Sequence, residues 1–578
     1  MLACPSNLVS KPPLALKADS SNKTYLSSKF TDGKISRRPS VVSVPSPSKP
    51  CHRQLQLSLS QSSKGQSRLC SIKEEVSSLA KTLLYWSRNY EDGTVDEVDL
   101  QDFRWDNIRN KFFKTLCGFV VAEPPLDAVV KVTCFSANPD FTRPWQREQE
   151  CASSSGFIIP GRRVLTCAHS VDHHTQVKLK RHGSDTTYTA TVLAMAPESD
   201  IALLTVKDDA FWEGVKPVDF GDLPAPKDEL IIAGYPMDRE QLCAIRGTMS
   251  KARVVPYYHS GTKLLALQLN VVLKGGNSGG PVFSVKGKCV GIAFQGSETS
   301  GGEIIPVPII KHFLQDFDKN GADTGVPSFG INWQEMENPD LRASMKMRSD
   351  QQGVLVTEIL PRYPESDMLK PYDVILSIDG VNIANDGTVP LSRGQRIDFS
   401  HLITRKFKGD KVQVKVLRNS KIQEFTIKLS CRKQFMPANT KGRPLSYYII
   451  GGFVFTTLSI PYLQSMYLQD YDYLPEKLLS QAFYEDRVVV CNLLKADINN
   501  GYDEMAVVCN QVLTLNGKPV KSLKNLAVTV ENCEEGFLKF VLENGKTVVL
   551  EAKAAKAETP DILKAHCISS AMSDDLKT

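Results

Sequence analysis

The segment Gly276-Asn277-Ser278-Gly279-Gly280-Pro281 places a serine among glycines. A serine hydroxyl is a poor nucleophile until a base takes its proton, so a histidine has to be found elsewhere. The flanking glycines let backbone N–H groups turn toward one point, where the oxyanion of a tetrahedral intermediate develops. Gly276, Asn277 and Ser278 form that loop, with Gly276 and Ser278 expected as its donors. Of the nine histidines, His169 stands in Leu165-Thr166-Cys167-Ala168-His169, at the end of a strand-like run whose small residues leave the ring free to project. His173 and His174 fall in a polar stretch and read as solvated. A third group, a carboxylate, must fix the imidazole tautomer. Asp200 opens the apolar run Ile201-Ala202-Leu203-Leu204, where an acid is costly unless paired. Asp172 competes, but it lies too close along the chain to reach behind the ring. Nucleophilic acyl transfer by Ser278, His169 and Asp200 is the chemistry these residues point to.

The order histidine, aspartate, serine is that of chymotrypsin-like double barrels, not of subtilisins or α/β-hydrolases. The elements that must carry the three residues agree with it. From Ala128 to about Pro308 the chain is dense in short β-like runs: Val129–Ser136, Gly156–Ile159, Val164–Ala168, Thr175–Lys180, Ile201–Val206, Glu229–Gly234, Leu264–Leu269 and Val290–Gln295. Turn residues separate them at short intervals, as in an all-β barrel or sandwich. Ile309–Phe317 is expected to be helical and to close this unit.

A second unit runs from about Gly325 to Leu429. Its expected strands are Gly353–Ile359, Asp373–Asp379, Val412–Leu417 and Glu424–Leu429, with a short helix over Phe399–Lys406. A third, from about Pro444 to Ala552, repeats part of this plan: a strand over Val507–Leu513 before Asn516-Gly517 parallels Val374–Ile378 before Asp379-Gly380. The apolar run Tyr447–Leu463 falls short of the ~20 residues of a membrane helix. It is broken by Gly451-Gly452 and Pro461, and its β-branched and aromatic content predicts buried strands instead.

Thr166–His169, Ser199–Leu204 and Gly276–Pro281 resemble, in order and context, the signatures of the Deg/HtrA (Do-like) serine proteases, and Leu267-Gln268-Leu269 fits as well. Phe329–Gln334, Glu337-Asn338, Asn385–Pro390 and Ser446–Leu458 look like its plant organellar branch. The resemblance spans roughly 126–570. It implies a mainly β chain: a chymotrypsin-like double β-barrel protease domain (126–322), a PDZ domain (325–432) and a second, degenerate PDZ-like domain (444–570). It further implies an ATP-independent serine endopeptidase that degrades unfolded or damaged proteins as a homotrimer or larger homo-oligomer. The rival expectation is a proteolytically silent PDZ scaffold or holdase that keeps the protease fold.

The chain departs from the family at three places. Cys167 replaces an asparagine two residues before the histidine. Asn270-Val271-Val272-Leu273-Lys274-Gly275 replaces Asp-Ala-Ala-Ile-Asn-Pro, and Gly302-Glu303 replaces a Gly-Tyr-like pair. In this family such positions line the primary specificity pocket and the activation loops. Cys167, if exposed, offers a redox handle beside the base; a buried small residue is the plainer expectation. In the second unit, a strand edge beside Phe329-Gly330-Ile331 would accept an extended peptide as an added strand. No clear carboxylate loop accompanies Gly451-Gly452, so the corresponding edge of the third unit is expected to be covered.

Composition bounds the rest. With 578 residues, 42% hydrophobic and 23% charged, the chain suits a soluble protein of several domains. A net charge of +6 without a basic, aromatic-laced stretch gives no nucleic-acid partner. The 14 cysteines form no CxxC pair and no metal spacing, so neither metal nor cofactor is expected, and a reducing compartment suits them. Cys117, Cys134, Cys289 and Cys509 sit in apolar runs and read as core residues. Residues 1–70 are basic, rich in Ser and Pro and poor in acids, the composition of an organelle transit peptide. The matrix of a mitochondrion is favoured over chloroplast stroma. Residues 71–125 are expected as a helical extension, over Ile72–Asn89, and a linker.

Overall fold

A computed structural model describes residues 123–297, 301–359, 368–392, 394–431, 444–466 and 487–577. The expected transit segment, the helix over Ile72–Asn89 and Cys117 lie outside these residues.

Twelve strands form two closed barrels. In the first, β1 (Val129–Pro139), β2 (Arg147–Ile159), β3 (Arg163–Thr166), β4 (His174–Arg181), β5 (Thr187–Ala196) and β6 (Ile201–Val206) close in the order β1-β2-β3-β6-β5-β4. In the second, β7 (Glu229–Gly234), β8 (Cys243–Pro256), β9 (Lys263–Leu269), β10 (Pro281–Ser284), β11 (Cys289–Ser297) and β12 (Gly301–Pro306) close as β10-β11-β12-β9-β8-β7. Closure pairs every strand on both sides and leaves no open edge. In β1 the inward residues Val130, Val132 and Cys134 alternate with half-buried ones, as a two-residue side-chain repeat requires.

Eight of these strands coincide with runs expected from sequence. Of the other four, β5, β8 and β12 carry the Thr, Arg, Lys or Gly that blurs an apolar pattern, and β10 is only the four residues Pro281–Ser284. Helix α1 (Val307–Asn320) extends the expected helix at both ends. It buries Ile309, Ile310, Phe313 and Leu314 on one face and stops at Gly321, whose φ of 70° suits a left-handed cap.

The next unit has a sheet in the order β14-β15-β16-β20-β21: β14 (Ile331–Gln334), β15 (Val354–Ile359), β16 (Val374–Ile378), β20 (Lys411–Arg418) and β21 (Lys421–Lys428). The short strands between and around them are β13 (Pro327–Ser328), β17 (Val381–Asn382), β18 (Thr388–Pro390), β19 (Arg396–Asp398) and β22 (Ser430–Cys431). Helix α2 (Pro339–Ser344) is capped by the Asn338 side chain, and the expected helix over Phe399–Lys406 shrinks to α3 (His401–Thr404). This unit packs on the second barrel. Gln395 Oε1 accepts from Ala252 N at 3.2 Å, and the His312 ring stacks on Phe407 at 4.2 Å while its Nε2 donates to Lys406 O at 2.7 Å.

The apolar run Tyr447–Leu463 forms β23 (Tyr447–Ile450), the Gly451-Gly452 turn, β24 (Phe453–Thr457) and the start of α4 (Ile460–Met466). Among the described residues no helix is long and apolar enough to cross a membrane. Strand β24 lies between β23 and β25 (Val488–Leu493), and β23 is covered in turn by the C-terminal segment through Ile449 N→Ala571 O and Ser573 N→Tyr447 O. The edge is covered, by this chain's own C-terminal segment rather than by a neighbouring domain. A second sheet, β27-β26-β28-β29, comprises β26 (Val512–Leu515), β27 (Lys518–Pro519), β28 (Phe537–Leu542) and β29 (Thr547–Glu551).

The strand expected over Val507–Leu513 is corrected. Val507 ends the helical turn α5 (Glu504–Val507), Cys509 has a φ of 65°, and after a lone bridge at Gln511 the strand begins at Val512. A left-handed residue inside the run breaks the strand and leaves Cys509 exposed rather than in the core. Helices α6 (Leu523–Glu531) and α7 (Ala552–Ala565) complete this unit.

Candidate active site

Strand β3 ends at Thr166, whose hydroxyl donates to Ser155 O at 2.7 Å, and the chain then turns through Cys167 and Ala168 to present His169. Asp200 precedes β6 and holds a φ of 53°, an uncommon conformation for a non-glycine residue. Its carbonyl accepts from Ala168 N at 3.2 Å. Its carboxylate, buried at 3% exposure, accepts from His169 Nδ1 at 2.7 Å and from the His169 backbone N–H at 2.9 Å. Loss of solvent pulls the imidazole pKa down, but the charge of Asp200 and its hydrogen bond outweigh this, with help from Asp172, and raise it above the ordinary value. Burial pushes the Asp200 carboxyl up, yet the His169 ring, charge and hydrogen bond together, holds it below the usual range. Such an arrangement donates from Nδ1 to the acid and leaves Nε2 as the basic nitrogen.

The Gly276–Pro281 segment packs directly beneath this turn. Ser155 N donates to Ser278 O at 2.9 Å, and Gly279 N donates to Ala293 O at 2.8 Å. A Cβ on Gly279 would lie 2.1 Å from Ser155 O and 2.4 Å from Thr166 Oγ1, so only glycine lets the loop approach the histidine-bearing turn. Gly276 has a φ of 93°, and a Cβ there would lie 2.4 Å from Tyr235 O. Its carbonyl accepts from Ser155 Oγ at 2.7 Å. Asn277, grouped with the expected oxyanion donors, gives its N–H to Lys274 O at 3.1 Å. Among the described residues the N–H groups of Gly276 and Ser278 have no such acceptor. Ser278 Oγ donates to Phe294 O at 3.3 Å and makes no described hydrogen bond to the His169 ring.

Asp172 does not stand behind His169. Its Oδ2 lies 3.7 Å from His173 Nε2 and 3.6 Å from His259 Nε2. His173 is thus mostly enclosed, at 12% side-chain exposure, rather than solvated; His174 is exposed and bonds Val171 O at 2.8 Å through Nδ1. The His259 ring lies 6.2 Å from that of His169. It comes from the β8–β9 loop, and nothing in Pro256-Tyr257-Tyr258-His259 marks it in the sequence.

Cys167 is fully buried and its Sγ donates to Ala293 O at 3.4 Å. Burial, together with the Asp200 charge, pushes its thiol pKa well up. Cys167, His169 and Asp200 bring three ligand types within 4.8 Å of one another. Of these, His169 Nδ1 and Asp200 are already engaged with each other in the 2.7 Å hydrogen bond.

The replaced loop Asn270–Gly275 is pinned by Asn270 N→Thr248 O at 2.9 Å, Gly302 N→Val271 O at 2.7 Å and Met237 N→Gly275 O at 2.8 Å. Phe329, Gly330 and Ile331 lead into β14, an edge strand paired on one side with β15.

Comparison with known proteins finds a trypsin-like peptidase domain over residues 154–292 and PDZ domains over 330–429 and 436–575. Protease Do-like 2, chloroplastic, of Arabidopsis thaliana is 37% identical over 463 residues, which cover 78% of this chain and 75% of that protein. Putative protease Do-like 3, mitochondrial, of the same plant is 38% identical over 457 residues, 78% of this chain and 80% of its own length.

Proposed function

Because the chain belongs to the Do-like serine protease family, we propose that it cleaves unfolded or damaged proteins without ATP, with Ser278 as nucleophile, His169 as base and Asp200 as the acid that orients it. The observation that carries this reading is the two-point grip of Asp200 on His169, which fixes both the tautomer and the plane of the ring. His169 Nε2 takes the Ser278 hydroxyl proton as Oγ attacks the peptide carbonyl carbon. The oxyanion is held by the N–H groups of Gly276 and Ser278. The imidazolium then gives its proton to the leaving amine as the C–N bond breaks, and water repeats the cycle on the acyl-enzyme. Asp200 stays ionised throughout and stabilises the imidazolium.

Ser278 Oγ must leave Phe294 O and turn toward His169 before attack. A change of side-chain rotamer accomplishes this and costs little in a loop whose backbone is already fixed. The same bond is the observation that favours the second reading, a proteolytically silent scaffold or holdase. A fluorophosphonate probe separates the two: labelling at Ser278 supports the enzyme, and no labelling under any condition supports the scaffold. Ser278→Ala is expected to abolish casein cleavage without unfolding the protein, and undiminished cleavage by that variant sinks the catalytic assignment.

The edge strand β14 beside Phe329, Gly330 and Ile331 suits capture of an extended peptide by strand addition. Relatives named as chloroplastic and mitochondrial support an organellar setting, for which the mitochondrial matrix is our choice. A homotrimer or larger homo-oligomer follows from the family resemblance. A fluorescent fusion of residues 1–80 and light scattering of the purified chain test these two points.

A further inference from the structure

Glu303 stands where the family resemblance leads one to expect an aromatic residue, and it is 4% exposed. Its Oε1 accepts from Arg253 Nε at 3.0 Å and also from Arg253 Nη2, and its Oε2 accepts from Gln295 Nε2 at 2.7 Å. Gln295 is held at its other end too, since its Oε1 accepts from Tyr258 N at 2.9 Å. Both ends of the Gln295 amide are therefore assigned, and the side chain has one orientation.

Gln295 is the residue after Phe294, and the register around them is irregular. Ala293 pairs with Ile304 and Gln295 with Glu303, so Phe294 is the extra residue of a β-bulge. A bulge redirects the groups of the residue it displaces. Here the displaced carbonyl accepts from Ser278 Oγ. The Phe294 ring is braced on one side by Tyr257, at 4.5 Å between centroids, and Tyr257 OH donates to Leu265 O at 2.5 Å. Backbone bonds with Gly279 and Gly280 hold Ala293 on one side of the bulge, and on the other the Gln295 amide is fixed by Glu303.

We propose that Glu303 is a positioning residue for Ser278: through Gln295 it fixes the Phe294 bulge, whose carbonyl holds the Ser278 hydroxyl in its resting place until it turns to His169. This rests on Ser278 being the nucleophile. Arg253 aims the carboxylate through its two hydrogen bonds, and Glu303 touches no reacting atom.

The test uses the full-length protein and the second-order rate of fluorophosphonate labelling, which needs the nucleophile but not a peptide pocket, alongside kcat and KM on a peptide. Gln295→Ala leaves the Arg253–Glu303 pair intact, so it avoids the folding risk of Glu303→Ala. It is expected to speed labelling and kcat several-fold with KM changed less than twofold. Glu303→Gln, which still presents an acceptor oxygen to Gln295, is expected to label at close to the wild-type rate, and Glu303→Leu faster. In Gln295→Ala, adding Glu303→Leu is expected to add nothing further in labelling. Unchanged or slower labelling of Gln295→Ala, an effect confined to KM, or additive gains in the double variant overturns the proposal. If instead Ser278→Ala labels as well as the wild type, it is the nucleophile assignment that has failed, and the two failures are told apart.

Discussion

Asp200 grips His169 at two points, the Nδ1 of the ring at 2.7 Å and the backbone N–H at 2.9 Å, one with each carboxylate oxygen. The ring is held against rotation about its own axis and against drift of the turn that carries it. A carboxylate so engaged acts through geometry and tautomer as much as through charge.

Asp200→Asn retains the shape of the side chain but offers an amide N–H where an oxygen stood. The ring is then driven to the wrong tautomer, and kcat for a peptide substrate is expected to fall by roughly 10³–10⁴-fold. Steady-state kinetics with a parallel thermal melt checks this; a loss under tenfold in a folded variant contradicts the assigned role.

The acid limb of the pH–rate profile follows from the raised pKa of His169, because the base must be neutral. Activity is expected to fall with acid through a midpoint above the ordinary histidine value of 6.5. In Asp200→Asn the favourable charge and hydrogen bond are gone, desolvation remains, and the midpoint of the residual activity moves down. For stability the sign is opposite to that of activity. The folded state favours the protonated ring, so this stabilisation is complete below the unfolded pKa and is lost as pH rises through the folded one. A residual-activity midpoint that stays put in Asp200→Asn contradicts the assignment.

In the second unit Asp373, with its side chain 1% exposed, takes Arg418 Nε at 2.7 Å and Nη2 at 2.6 Å. Arg418→Met leaves that carboxylate buried with only the Lys370 N–H, and about 3–5 kcal/mol of stability is expected to be lost. Chemical denaturation measures it. The double change Asp373→Leu/Arg418→Met is expected to recover most of the loss.

Asn499 is fully buried and ties the Gly451 turn to the segment after β25: its Nδ2 donates to Gly451 O at 2.9 Å and Leu494 O at 2.8 Å, and its Oδ1 accepts from Ala496 N at 3.1 Å. Asn499→Leu strands these groups and is expected to destabilise the C-terminal unit by about 2–4 kcal/mol. Proteolysis within 444–577 should accelerate, while peptide cleavage by the surviving protein changes little.

Native-state iodoacetamide is expected to modify the exposed Cys151 and Cys567 and to spare Cys167. Burial protects that thiol, and its raised pKa removes the reactive thiolate. Peroxide inhibition, if any, should be equal in wild type and Cys167→Ala, which a simple activity assay decides.

The sequence disclosed the elements whose pattern is local. Ile201–Val206 and Glu229–Gly234 match their strands at both ends, since apolar runs bounded by turn residues have few other solutions. Strands β8 and β12 escaped, because Arg246, Lys251 and Arg253 on one and three polar or glycine positions on the other hide a period that barrel closure alone enforces. The Val507–Leu513 reading failed for the reverse reason. The run is apolar, but a single residue at positive φ divides it, and no side-chain pattern records that.

By itself the sequence determined which chemistry is available, because acyl transfer demands a serine, a base and an acid of fixed types in contexts that glycine and small residues must frame. Only the tertiary structure decided how those groups stand to one another. His169 and Asp200 are 31 residues apart, and it is the pairing of β3 with β6 that brings them to hydrogen-bonding distance. Glu303, Gln295, Arg253 and Tyr258 come from β12, β11, β8 and the loop after it, and their network exists only once the second barrel closes. Contacts between distant segments are set by packing and closure, and no local spacing in the chain encodes them.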